Sequence, residues 1–358
     1  MYLSKLRLRD FRNYSRLDAA FDPGFHLLRG ENAQGKTNLL EAIYLVATLR
    51  SFRGATGAQM VRHGQKGYFV GAHVVSQSER AIRIFWAPQE RKVTVDDRSV
   101  RKLADYFGVL RAVVFCSEDL QIVKGTGARR RRFVDLLLAQ AGSAFLPLLQ
   151  RYLVALRSRN LLLKRRGADP ATIESFTQEL IPLGRRLMEL RAELIPRLSA
   201  LTRLAYRRIA GAREELRIEY RPSVHGDFAV QLAQSRAREL VQRSTVVGPH
   251  RDDIALLLDD QPAVQFASEG QKRSIAIALK LAQAEYLTGI HGTPPILLID
   301  DVMGELDATR RRAFVPLLHR GHSARSQVFM TVTEENWPKD LGVPTTRWEV
   351  ERGALRRG

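Results

Sequence analysis

Alternation of apolar and polar positions predicts strands through the first hundred residues. "LSKLRLRDF" alternates, "FHLLRG" is a short apolar run ending in glycine, and "YFVGAHVV" and "AIRIFWAP" are rich in β-branched and aromatic residues. "RKVTVDDRSV" reads as a hairpin that turns at Asp96-Asp97. One helix is expected between Leu39 and Leu49, directly after a glycine-bearing loop.

From about residue 128 the period becomes helical. Leu149, Tyr152, Leu153, Leu156, Asn160 and Leu163 mark one stripe; Ile173, Phe176, Leu180, Leu183, Leu187, Leu190, Leu194, Leu198 and Leu201 mark a longer one. Asp169 and Pro170 supply an N-cap and a proline at the first helical position. The longer stripe steps by three and four as a coiled coil does, but lasts only about three to four heptads. Pro182 and Pro196 interrupt it, so a compact, kinked helical subdomain is expected rather than a long arm.

"ELRIEYRP" and "DDIALLLDD" then read as strands, followed by a helix from about Ser268 to Leu287. Next come a buried strand "PILLID", a helix through Arg310, a strand "QVFMTV" and a final "RWEVERG". Helices alternate with apolar strands at both ends of the chain, which argues for an α/β core built from both termini. The expected division is a core of residues 1–118 plus 244–358 and an inserted helical lobe of residues 119–243, with the helix 268–287 packed against that lobe.

Composition adds the kind of partner. With 358 residues and 45% hydrophobic content, the chain buries a substantial core in about two domains. Its 57 Lys and Arg against 38 Asp and Glu leave a net charge of +19, which draws the protein to polyanions, nucleic acid first and anionic membrane second. The surplus sits in clusters: Arg129 to Arg132, Arg165-Arg166, Arg185-Arg186, Arg207-Arg208 and Arg310 to Arg312. One such cluster alone reads as a solvated helix face; together with this net charge they read as a binding surface. No run approaches the roughly 18 apolar residues of a membrane span, and the opening "MYLSKLRLRDFRNY" is charged where a signal peptide is apolar, so a cytoplasmic protein without membrane attachment is expected. The single cysteine, Cys116, ends an apolar run and reads as a buried structural thiol. His319 and His322 share a helix face and read as closing a helix C-terminus, not as metal ligands.

The chemistry begins at Gly30-Glu31-Asn32-Ala33-Gln34-Gly35-Lys36-Thr37, an uninterrupted G-x-x-x-x-G-K-[ST] between a predicted strand and a predicted helix. The glycines let the loop curl so that backbone N–H groups point at phosphate oxygens, and the helix adds its positive end. Lys36 is expected to reach the β- and γ-phosphates of ATP, and the Thr37 hydroxyl to take one position on Mg²⁺. A second anchor stands at "ILLIDD": four apolar residues form a buried strand and two acids emerge at its end. Asp300 is expected to hold the metal and Asp301 to polarise the attacking water, so that Lys36 and Asp301 carry the catalysis.

The order of phosphate loop, then Ser268-Glu269-Gly270-Gln271 opening a helix, then 32 positions later an acid at a strand end, resembles the ABC class of ATPases. That class has a second glycine where Glu269 stands. In such proteins the serine and the helix N-terminus face the γ-phosphate held by a partner subunit, which implies that Ser268, Gly270 and Gln271 complete a site in another copy. Gly304-Glu305-Leu306-Asp307 resembles the loop that lies across the same interface. Lys36 and Ser268 are 232 positions apart, too far for a transporter's nucleotide-binding domain and too close for a chromosome-maintenance ATPase. The short insert resembles the RecF family, as do "YLSKLRLRDFRNY", "GENAQGKTNLLEAIYL", "SEDLQIVKGTGARRRRFVD", "VGPHRDDI", "SEGQKRSIAIALKLA" and "LLIDDVMGELD".

The resemblance implies an ABC-type P-loop ATPase head with a helical lobe inserted. It implies a weak ATPase that dimerises on ATP, binds double-stranded and gapped DNA, and acts with RecO and RecR to promote RecA loading. The nucleotide-binding subunit of a membrane transporter is the alternative, and a P-loop kinase acting as a monomer the third. Two positions depart from the pattern. The late strand ends in Thr331 and Thr333 where transporters keep a histidine, and the metal-sensing glutamine is represented by Glu118 or Gln121. The stretch Gly248 to Asp253, "GPHRDD", reads either as a structural turn or as part of a nucleotide or DNA contact.

Overall fold

The computed structural model describes residues 1–165, 167–211, 213–320, 326–332 and 344–358. One six-stranded sheet has the order Ala354–Arg357, Thr345–Glu351, Gly24–Arg29, Gln327–Val332, Ile296–Ile299 and Ala112–Phe115. Every neighbouring pair is parallel except the terminal hairpin. Because side chains alternate along a strand, this sheet feeds two cores. Leu27, Phe115, Ile299 and Met330 belong to the one shared with the helices; Leu28, Val114, Leu298 and Phe329 belong to the other. A strand buried on both faces has no polar side, which is why "ILLI" is an unbroken apolar run and "VFMTV" carries one polar residue, the hydrogen-bonded Thr331.

The second core is closed by an antiparallel sheet in the order Tyr14–Ala20, Tyr2–Phe11, Tyr68–Val75, Glu79–Ala87, Glu90–Val95 and Arg98–Ser99. Its last hairpin turns through Asp96 and Asp97 at φ 49° and 63°, as the sequence leads one to expect. The helix Lys36–Thr48 is held within this core, and every residue from Leu39 to Thr48 is buried. The two ends of the chain are tied together here: Gln327 accepts from the Leu3 N–H at 2.8 Å and donates to its carbonyl at 3.0 Å.

On the other side, the helices Gly127–Ala141, Phe145–Lys164 and Pro170–Ala210 build most of the helical layer. Asp169 caps the longest as expected, accepting from the N–H groups of Ala171 and Thr172. Pro182 and Pro196 do not break it; the helix runs through both for 41 residues. Each proline costs about 3 kcal/mol, but Leu180, Leu183, Leu187, Leu194 and Leu198 are buried around them at about 1.5–3 kcal/mol apiece, and packing wins. The helix Glu269–His291 lies against this long helix, and the strand Asp253–Leu258 pairs antiparallel with Leu216–Arg221. His319 falls on the helix Ala308–Arg320, while His322 and Thr333 lie outside the described residues.

Candidate nucleotide site

Residues 30–35 join the strand Gly24–Arg29 to the helix Lys36–Thr48, and their curl is visible in φ values of 153° at Gly30, 65° at Ala33 and 121° at Gly35. Glycine is required at both ends. A methyl group on Gly30 would lie 2.3 Å from the Val350 carbonyl oxygen, and one on Gly35 would lie 2.7 Å from Asn13 Nδ2.

The loop is gripped from outside by two hairpins. Asn13 Nδ2 donates to the Gln34 carbonyl at 2.8 Å and the Tyr14 hydroxyl to the Gly35 carbonyl at 3.0 Å. From the other side, the Gly353 N–H donates to the Gln34 carbonyl at 3.0 Å and the Arg352 N–H to Gln34 Oε1 at 2.7 Å. Burial pushes the Tyr14 phenol well up, so it stays a hydrogen-bond donor. No motif in the sequence marks these four residues as loop partners; the only trace is their place in turns, at "FRNY" and "ERGA".

Lys36 is buried, and its ammonium donates to the carbonyls of Gly30 at 2.5 Å and Glu31 at 2.8 Å. Loss of water lowers its pKa, and the nearby charges of Asp301 and Asp300 oppose that shift. The Thr37 hydroxyl donates to Asp300 Oδ1 at 2.8 Å, the Thr331 hydroxyl to the same oxygen at 3.1 Å, and the Asp301 N–H to Thr331 Oγ1 at 2.9 Å. Burial raises Asp300 above the usual carboxylate range, and the charges of Asp301 and Glu118 push the same way. Glu118 is thus close enough for its charge to act on Asp300; the Gln121 backbone carbonyl accepts from the Gly125 N–H at 2.9 Å, an ordinary helix-end bond that does not involve its side chain. Among the described residues no three His, Cys, Asp or Glu side chains form a metal cluster. One hydroxyl and one carboxylate beside a phosphate loop fit Mg²⁺, which is held jointly by a few protein oxygens and the phosphates.

The stretch around Ser268 lies apart. Ser268 Oγ accepts from the Gln271 N–H at 3.2 Å and Gln271 Oε1 accepts from the Ser268 N–H at 2.5 Å, a reciprocal cap on the helix Glu269–His291. Gln271 Nε2 also donates to Glu214 at 2.6 Å. Arg310, paired with Asp307, lies over Gly270, where a methyl group would come within 3.0 Å of its guanidinium. Glu269 pairs with Lys124 at 2.5 Å. Among the described residues no hydrogen bond or ion pair joins Ser268, Gly270 or Gln271 to residues 30–37.

"GPHRDD" is a structural turn in most of its residues. The fully buried Asp252 accepts from Arg191 Nη1 at 3.2 Å, from the Ser223 N–H at 2.8 Å and from the Tyr220 hydroxyl. Asp253 takes a two-pronged contact from Arg130 at 2.8 and 2.9 Å. His250 Nδ1 lies 2.6 Å from the Tyr152 hydroxyl and Nε2 3.1 Å from the Thr245 carbonyl, so Nε2 carries the proton and Nδ1 accepts. Burial pushes His250 down to about 4. Of the cluster Arg129 to Arg132, Arg130 and Arg131 thus serve the interior, Arg131 by donating to the Asp252 carbonyl. Cys116 is buried, and loss of water pushes its thiol up.

A phosphate loop on a parallel sheet, acids at the end of a strand in the same sheet and a serine-capped helix beyond a helical insert define an ABC-type ATPase head. A family model described as the RecF/RecN/SMC N terminal domain matches residues 2–344. The chain is 37% identical to the DNA replication and repair protein RecF of Symbiobacterium thermophilum over 95% of each chain. It is 38% identical to that of Thermosynechococcus vestitus, over 93% of this chain and 91% of the other. It superposes on a solved structure of the recombination mediator protein RecF-ATP in the RecFOR pathway with a TM-score of 0.90 at 29% identity, covering 99% of each. An Smc head bound to the C-winged helix domain of ScpA shares the fold alone, with a TM-score of 0.58 at 14% identity over 100% of this chain and 98% of the other. The chain belongs to the RecF family.

Proposed function

We propose that the chain is an ATP-dependent DNA-binding protein of recombinational gap repair. Two copies dimerise on ATP, clamp duplex DNA or a junction of single and double strands, hydrolyse ATP slowly, and with RecO and RecR promote RecA loading. The carrying observation is an unfinished site: the loop of residues 30–37 stands with Asp300, Asp301 and Thr331, while among the described residues no hydrogen bond or ion pair joins it to the anion-ready start of the helix Glu269–His291. Relatives named for DNA replication and repair, and one solved with ATP in the RecFOR pathway, support the same reading.

On nucleotide binding, Lys36 gives up two neutral carbonyls for the β- and γ-phosphates, and the N–H groups of residues 30–35 cradle the rest. Thr37 and Asp300 would hold Mg²⁺, which neutralises phosphate charge when bound. Asp301 polarises the attacking water. Ser268, Gly270 and Gln271 meet the γ-phosphate held by a second copy, where the N–H groups of Glu269 and Gly270 remain to be taken while that of Gln271 is held by the Ser268 cap. The exposed arginines take DNA backbone phosphates, without base readout and with strong salt dependence. Among the described residues no helix is long and apolar enough to cross a membrane, and a cytoplasmic place follows from the DNA-repair role.

Sizing chromatography tests the composite site. ATP with Mg²⁺ shifts the wild type from monomer to dimer, Lys36→Ala and Ser268→Arg abolish the shift, and Asp301→Asn strengthens it. A Ser268→Arg protein that dimerises like the wild type sinks the two-copy site.

A further inference from the structure

Leu49 ends the helix Lys36–Thr48 in the left-handed region at φ 55°, and the segment after it runs beside Trp86 and helps enclose a cavity of about 260 Å³. Three arginines from three elements line that cavity: Arg50 from the segment itself, Arg91 from the strand Glu90–Val95 and Arg132 from the helix Gly127–Ala141. No acidic side chain lines it. Arg91 donates to the Leu49 carbonyl at 3.3 Å. Among the described residues neither Arg50 nor Arg132 has a carboxylate within ion-pair distance, and neither guanidinium makes a hydrogen bond. Burial lowers the pKa of Arg50, and the neighbouring charges of Arg132 and Arg91 lower it further.

Attraction of cations to a helix C-terminus accounts for Arg91, which reaches a carbonyl of the last turn. It does not account for Arg50 and Arg132, which reach none. Interior arginines such as Arg159, with Glu239, and Arg191, with Asp135 and Asp252, are closed on acids, whereas Arg50, Arg91 and Arg132 stand open to solvent. The trio is an accessible cluster of like charges with no acid among the residues that line its cavity.

The aromatic wall narrows what that anion is. Trp86 stacks on Tyr68 with ring centroids 5.9 Å apart and planes 11° apart, and a methyl group on Gly57 would lie 2.2 Å from the indole. Both ring faces are covered, so a base cannot stack there. The Ser51 hydroxyl is spent on Glu41. The polar side chains left to line the cavity are the guanidiniums, whose planar fork matches phosphate oxygens, and the Tyr68 phenol, a further hydrogen-bond donor. Arg50 and Arg132 also border a second space of about 310 Å³, so they stand between two openings, which suits a continuous strand better than a small free anion.

We infer that Arg50, Arg91 and Arg132 receive backbone phosphates of a bound DNA strand without reading its bases. The inference rests on the DNA-binding reading above and gives it a place on the molecule.

The sole native cysteine is buried, so Ala55→Cys, in the lining of the cavity, creates one reactive thiol. With ATP, Mg²⁺ and a gapped duplex, labelling of that thiol by a maleimide is expected to slow severalfold and to recover at high salt. Adding Arg50→Gln and Arg132→Gln removes the protection. In the otherwise native chain the same two changes lower the slope of log affinity against log salt by about 2, leaving ATP binding as in the wild type. Full DNA affinity with an unprotected thiol, an unchanged salt slope, or equal protection by inorganic phosphate or ATP alone overturns the site. Failure of the unaltered chain to bind DNA removes the DNA-binding reading itself, and the site with it.

Discussion

Arg159 and Lys36 are both buried cations, 1% and 8% exposed, and they are held in opposite ways. Arg159 meets Glu239 through two nitrogens at 3.0 and 2.6 Å, with Thr177 and Thr245 taking further donors at 2.9 and 2.7 Å. Lys36 rests on two carbonyls of its own loop, and Asp300 nearby rests on two hydroxyls. In the first arrangement charge answers charge and nothing is left to exchange. In the second every direct hydrogen-bond partner is neutral, so an incoming phosphate or cation offers each group more than it already has. Charge closed on charge builds the helical region; charge parked on neutral groups marks a site.

Breaking one partner in each place gives the largest contrast. Arg159→Met strands Glu239 in the interior and is expected to lower stability by about 3–5 kcal/mol in urea denaturation, while Arg159→Met with Glu239→Leu recovers most of it. Lys36→Met in the same assay is expected to cost less than about 1 kcal/mol, since it removes a desolvated cation that no acid closes upon. Equal losses at the two positions would erase the distinction.

A smaller effect separates the regions by pH. His250 belongs to the closed network, and its pKa falls from the ordinary 6.5 to about 4 in the fold. A depressed folded pKa contributes stability that is present above 6.5 and lost as pH falls through 4, because the unfolded chain takes up the proton first. The size is about 3 kcal/mol, and His250→Gln flattens the urea-midpoint profile between pH 7 and pH 4.

The smallest effect concerns the exposed pair Lys124–Glu269. Its contribution to folding is within about 0.5 kcal/mol, so Lys124→Ala leaves the urea midpoint in place. The same change leaves the Glu269 carboxylate, at the start of the proposed phosphate-facing helix, with only the looser partner Lys272 at 3.8 Å, and is expected to weaken ATP-dependent dimerisation severalfold. Glu269→Gly is expected to strengthen it. Dimerisation that ignores both changes makes Glu269 a surface residue and no more.

What was legible in the sequence follows from what each element needs. The phosphate loop declares itself because backbone geometry demands glycine at fixed spacing, and the acids declare themselves because a doubly buried strand must expose its charge at the end. Ser268 was legible as the residue that opens a helix, since a cap is local; the reciprocal bond from Gln271 appears only in the structure. The continuous helix through Pro182 and Pro196 was hidden, because local propensity argues for a break and only the burial of its own leucines against other elements overrules it. Asn13 and Gly353 were hidden as loop clamps, because a turn residue bonding a distant carbonyl leaves no pattern. The fate of Arg130 and Arg131 needed three dimensions. Arg130 meets Asp253 across 123 positions, a partnership that periodicity cannot express.

The bond between Gln327 and Leu3 sets the timetable of the newborn chain. The strand Gly24–Arg29 has Gln327–Val332 on one side and Thr345–Glu351 on the other. At a synthesis rate of about 5–20 residues per second, roughly 15–60 s pass before either neighbour exists. Through that interval the emerging protein carries its phosphate loop without the acids that answer it, and a translation product cut short has nothing to close around ATP.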